Sequence, residues 1–92
     1  MAMLHVEVVG RVQGVGFRWF VREQARRAGL AGWVRNLPSG AVEVLAAGAP
    51  NALDALRQAV SVGPSGARVD AVRDLAPEGT ERELPTPFSV RR

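Results

Sequence analysis

Leu4, Val6 and Val8 alternate with His5, Glu7 and Val9, the period-two pattern of a half-buried strand. Its apolar phase faces a core and its other phase, His5 and Glu7 included, points outward to solvent. After a glycine-rich stretch from Gly10 to Gly16 the period changes. Phe17, Val21, Ala25 and Ala28 fall on one helical stripe while Arg22, Glu23, Arg26 and Arg27 face away from it, which predicts a helix from Phe17 or Arg18 to Ala28. Arg26 and Arg27 suit the negative end of the helix dipole, and Gly29 supplies the stop.

Two apolar runs between Gly32 and Gly48 flank Leu37-Pro38-Ser39-Gly40, where proline and glycine provide the backbone angles of a tight turn, so this region reads as a β-hairpin. Pro50 and Asn51 open a second helix with Asp54 in its first turn and Leu53, Leu56 and Val60 on its buried stripe; Gly63 and Pro64 end it. Ala67 to Leu75 reads as a strand anchored by Val69 and Val72, whose spacing of three signals a bulge or a twist. The polar, proline-punctuated stretch from Ala76 to Pro87 reads as a loop or weak edge, and Phe88-Ser89-Val90 as a last short strand. The order β-α-β-β-α-β with a short terminal strand predicts an α+β, ferredoxin-like sandwich: an antiparallel sheet with both helices on one face, in a single domain over residues 1–92. That fold hosts many activities and settles none.

Composition narrows the chemistry more than the fold. Among 92 residues, 47% hydrophobic, there is no cysteine, which excludes disulfides and thiolate metal sites. A single histidine, His5, argues against a histidine metal cluster or a histidine-based triad. No apolar run is long enough to cross a bilayer and no secretory leader is evident, so no membrane partner and a cytoplasmic location are expected. The net charge of +3 is mild, and the twelve basic residues, all arginine, are scattered among carboxylates; no nucleic-acid partner is expected from them. Glu7, Glu43 and Asp70 lie in the polar phases of strands and read as solvated-face residues rather than catalytic carboxylates. Trp19 and Trp33 read as packing or rim residues.

The stretch Val8 to Phe20, VVGRVQGVGFRWF, carries the candidate chemistry. It is not a Walker A loop, since the chain has no lysine, and not a dinucleotide fingerprint, since Trp19 stands where the third glycine belongs. Glycines at 14 and 16 nevertheless let main-chain N–H groups curl toward a common anion, and the helix start behind them adds free amides and the positive dipole end. Arg18 can add a planar fork to phosphate oxygens. Taken alone, the loop is equally consistent with a glycine-rich connector followed by a surface arginine, and Asn36 with a turn residue before Leu37-Pro38.

The segment GRVQGVGFR resembles the first signature of the acylphosphatase family, and GWVRNLPSGAVEV, Gly32 to Val44, resembles the second. Gly63 to Val72 and the final Phe88-Ser89-Val90 are similar to that family as well, so the resemblance runs nearly the length of the chain. It implies an enzyme that hydrolyses the carboxyl–phosphate anhydride of small acyl phosphates without metal or other cofactor, as a monomer. It further implies that Arg18 and Asn36 are the catalytic residues, with Arg18 gripping phosphate and Asn36 orienting the attacking water. Gln13, Gly14, Val15, Gly16 and Phe17 would complete the phosphate cradle through their amides. Two positions depart from the family's pattern: Gly16 stands where some members carry a bulkier apolar residue, and Ala59 replaces an aromatic often found there.

Two other classes share parts of this pattern. RNA-recognition domains use the same element order but need aromatics on a third strand that here reads Ala41-Val42-Glu43-Val44-Leu45-Ala46-Ala47, with none. A regulatory anion-binding domain, or a stand-alone relative of the acylphosphatase-like domain at the start of a hydrogenase-maturation carbamoyltransferase, would keep the cradle and act within a larger assembly.

Overall fold

A computed structural model describes residues 2–76 and 83–92. Strand β1 (Ala2–Arg11) leads through the glycine loop into helix α1 (Phe17–Arg27), and strands β2 (Ala31–Asn36) and β3 (Val42–Gly48) form the hairpin. Helix α2 (Pro50–Val62) returns the chain to strand β4 (Arg68–Asp74), and β5 (Ser89–Val90) closes the order. The sheet runs β4-β1-β3-β2-β5. The first four strands pair antiparallel, in the ferredoxin-like arrangement, whereas β5 adds to the β2 edge in parallel, making the sheet mixed. Of the stretch expected to be a loop or weak edge, residues 77–82 lie outside the described residues.

One face of the sheet carries both helices. Leu4, Val6 and Val8 of β1 meet Val42, Val44 and Ala46 of β3 in register, and Phe17, Val21, Leu53, Leu56 and Val60 pack down on them. Burying a side chain such as Phe17, 1% exposed, contributes about 2 kcal/mol. Helix α1 ends as the sequence predicts: Leu30 N–H donates to the Ala25 carbonyl and Gly29 N–H to that of Arg26, the paired bonds of a Schellman cap. Helix α2 starts on Pro50, with Asp54 just beyond its first turn rather than within it.

The irregular valine spacing on β4 has the expected cause. The register shifts between Val9 and Gly10, which pair with Ala71 and Val69, so Asp70 is the extra residue of a bulge. The bulge turns Val69 and Val72 to the same face, where both lie half-buried against the core rather than fully inside it. Gly10 is required at this crossing, because a Cβ there would sit 2.1 Å from the Arg68 carbonyl oxygen.

The second face is where expectation fails. His5 and Glu43 are 4% and 5% exposed, not solvated. The Nε2 of His5 lies 2.6 Å from Glu43 Oε2, its Nδ1 lies 2.6 Å from the Ala76 carbonyl, and Arg35 Nε donates to Glu43 Oε1 at 2.6 Å. Trp33 stands edge-on to His5 beneath the guanidinium groups of Arg35 and Arg91. Chain beyond β4 crosses to this face: Leu75 N–H donates to the His5 carbonyl, and Gly32 N–H reaches the Pro85 carbonyl. The polar phase is thus closed over at His5 and Glu43, while Asp70 stays exposed as expected and Glu7 is half-buried. Burial alone would raise the Glu43 pKa, but the hydrogen bonds and charges of His5 and Arg35 outweigh it and hold the carboxyl below its ordinary value.

Candidate active site

The glycine loop breaks the β1 ladder at its end and delivers the chain to α1. Gly14 and Gly16 both take left-handed backbone angles, φ 77° and 76°, with Val15 between them at negative φ. No atom lies within 4 Å of a Cβ placed at either glycine, so their requirement is conformational rather than steric. Alternation of this kind is the backbone pattern that can turn successive N–H groups toward a common anion. Gly16 is also the cap residue of α1: its carbonyl accepts from Phe20 N–H, and no side chain caps the helix, which leaves the first-turn amides without a side-chain acceptor. Glycine at position 16 fits a backbone angle that L-residues take only with strain. Val12 and Phe17 are buried on either side of the loop and fix its two ends in the core.

A cleft of about 360 Å³ opens over this loop. Gln13, Gly14, Gly16, Phe17, Arg18 and Asn36 all line it, so the structure gathers every residue named from the sequence except Val15, whose side chain packs half-buried against the core. Arg18 sits in the first turn of α1. Its Nη1 makes one long bond, 3.4 Å, to the Arg91 carbonyl, and no carboxylate pairs with it among the described residues. Asn36 ends β2, its backbone paired with Val42, and its carboxamide makes no hydrogen bond among the described residues. Trp19, Arg22 and Arg92 add to the lining, and no acidic side chain among the described residues does. The cleft therefore presents three arginine side chains and an unbonded carboxamide, with no acidic side chain among the described residues of its lining.

Sequence reasoning missed what joins the two halves of this site. The side chain of Gln13 donates from Nε2 to both the Leu37 and the Ala41 carbonyls, each at 2.9 Å. These carbonyls bracket the hairpin turn that begins immediately after Asn36, and Leu37 N–H itself donates to the Ala41 carbonyl. Gln13 thus ties the cradle loop to the turn that carries the asparagine. The signal was present as a lone amide in an otherwise apolar and glycine-rich run; its acceptors, more than twenty residues away, were not.

With this geometry in hand, comparison with known proteins is decisive for the family. The acylphosphatase family matches residues 4–89, and the chain belongs to it. An acylphosphatase from Koribacter versatilis is 56% identical over 73 residues, covering 77% of this chain and 66% of that protein. The crystal structure of an acylphosphatase from Bacillus subtilis superposes with a TM-score of 0.90 at 39% identity, covering the whole of both chains. The HypF of T. kodakarensis matches at a TM-score of 0.79 and 29% identity over all of this chain but only 12% of its own, so the same domain also occurs as a small part of a longer protein. No helix among the described residues is long and apolar enough to cross a membrane.

Proposed function

We propose that this chain is an acylphosphatase that hydrolyses small acyl phosphates by direct in-line attack of water, without a metal ion. Water oxygen attacks phosphorus, the bond from phosphorus to the acyl oxygen breaks, and carboxylate and inorganic phosphate leave. The carboxylate's conjugate acid has a pKa of about 4, so it departs at neutral pH unprotonated and needs no general acid. What remains is to hold the phosphoryl group and spread its developing charge, a task of positioned donors. The amides of Gln13 to Phe17 and the fork of Arg18 fill that role. Asn36 accepts a hydrogen bond from the water and orients it, without bringing a negative charge beside the phosphate. The water's proton passes to a phosphate oxygen of the substrate.

The observation that carries this reading is the convergence, in one cleft, of a glycine-curled helix start, an arginine and an asparagine carboxamide, with no acidic side chain in the lining and no acidic partner to Arg18 among the described residues. The test is turnover of benzoyl phosphate in the presence of a chelator. Wild type should release benzoate at an undiminished rate. Asn36→Ala should lower kcat about 10²-fold or more while inorganic phosphate still inhibits competitively. Near-native kcat in that variant would remove Asn36 from the mechanism, and dependence on added metal would remove the metal-free route.

A further inference from the structure

Trp19 is the anomaly of the cleft. It is 58% exposed at the site's wall, although α1 has a buried stripe to receive large apolar side chains. Phosphoryl transfer has no use for an indole. Arg22 lies with its guanidinium carbon 3.9 Å from the centre of that ring, and its Nε donates to Glu23 Oε2 at 3.3 Å. No described residue takes its two terminal nitrogens. The guanidinium is therefore held on one face by Trp19 and at one edge by Glu23, while the end bearing Nη1 and Nη2 is unclaimed, and the residue lines the cleft. A planar fork with a free end is the shape that takes a carboxylate through two parallel hydrogen bonds.

Spacing gives the size of the partner. Arg22 follows Arg18 by one turn of α1, which separates their origins by about 6 Å along the helix. In an extended acyl phosphate with two methylene groups between carbonyl and second carboxylate, that carboxylate lies roughly 6 Å from phosphorus. Resting on the acylphosphatase reading, the geometry points to an acyl-group subsite at Trp19 and Arg22 that selects acyl phosphates whose acyl chain ends in a second carboxylate. Trp19 covers the methylene spacer and Arg22 receives the distal anion. Arg92, on the same cleft wall and without a partner among the described residues, adds positive potential. Glu23 offsets part of the Arg22 charge, so the preference rests on the fit of the fork more than on net charge.

The test compares kcat/KM for succinyl phosphate and acetyl phosphate in one buffer, at low and at high salt. Wild type should prefer succinyl phosphate by about fivefold, the size of one good exposed ion pair, and salt should shrink the preference. Arg22→Gln and Trp19→Ala should bring the ratio toward one, chiefly through the KM of succinyl phosphate, and Arg22→Lys should restore part of it. Inhibition by inorganic phosphate, which has no acyl group, reports the cradle alone and separates loss of the subsite from a general loss of positive potential. A wild-type ratio near one, or a ratio that Arg22→Gln leaves unmoved, overturns the subsite while leaving the acylphosphatase reading intact. Failure to turn over either substrate overturns both.

Discussion

Two polar regions of this small sheet look alike in the sequence and opposite in the structure. On the face without helices, His5, Glu43 and Arg35 form a cluster in which both histidine nitrogens and both carboxylate oxygens are matched. At the end of the sheet, Arg18, Asn36 and the loop of Gly14 and Gly16 line a cleft, and among the described residues their side chains make no bond beyond one long contact from Arg18 to the Arg91 carbonyl. Burial and charge alone would have favoured the first as a reaction centre, since a histidine against a glutamate is a familiar catalytic pair. Saturation decides otherwise. A group whose hydrogen bonds are all made within the protein has none to give a substrate, and its arrangement serves the fold; idle donors in a cleft are a binding capacity.

The largest effect that would break this contrast is on the idle side. Arg18→Ala should lower kcat/KM for benzoyl phosphate by about 10³-fold and weaken inhibition by phosphate, with little change in melting temperature. A large loss of stability in place of a loss of rate would mean that Arg18 is structural and the contrast is misdrawn.

On the saturated side the expectation inverts. Glu43→Ala leaves buried His5 and the partly exposed Arg35 without their carboxylate and should cost about 3 kcal/mol in chemical denaturation, while the folded fraction keeps its turnover. Acid sharpens the same point. The Glu43 carboxyl is held below its ordinary value, so it binds a proton more readily unfolded than folded. Its contribution is complete above the ordinary carboxylate range and is lost as pH falls through the lowered value. Melting curves between about pH 5 and pH 2 should therefore show an acid limb that Glu43→Gln flattens. An unchanged limb would place the acid sensitivity elsewhere.

The smallest effect concerns the link between cradle and asparagine. Gln13→Glu keeps the shape of the side chain but cannot donate to two carbonyls. It should lower kcat about tenfold, with a smaller change in inhibition by phosphate, because the turn carrying Asn36 loses its tie to the loop. Equal losses in both readouts would mean that the loop itself had collapsed.

Local pattern made most of the fold legible. Phe17, Val21 and Ala25 lie on the buried stripe that their spacing requires, Gly29 stops α1, and the valine spacing on β4 registers a bulge. The curl of the loop and the helix start at Arg18 were equally readable, because glycine placement and a helix start are local facts; the roles proposed for them came from the family resemblance. His5 and Glu43 were misread as solvated because the chain that closes over them arrives from beyond residue 74, and alternation along a strand reports two faces without saying what covers the second. Trp19 was legible only as rim or packing; its place beside Arg22 on the cleft wall needed the helix built.

The glycine loop carries one more consequence, for the handedness of the residues it accepts. Room is plentiful at positions 14 and 16, yet the backbone there bends in the sense natural side chains resist. A mirror-image alanine introduced at either position by chemical synthesis should be accommodated as readily as glycine, whereas its natural enantiomer would distort the curl. What these two positions encode is a direction of winding, and size is incidental to it.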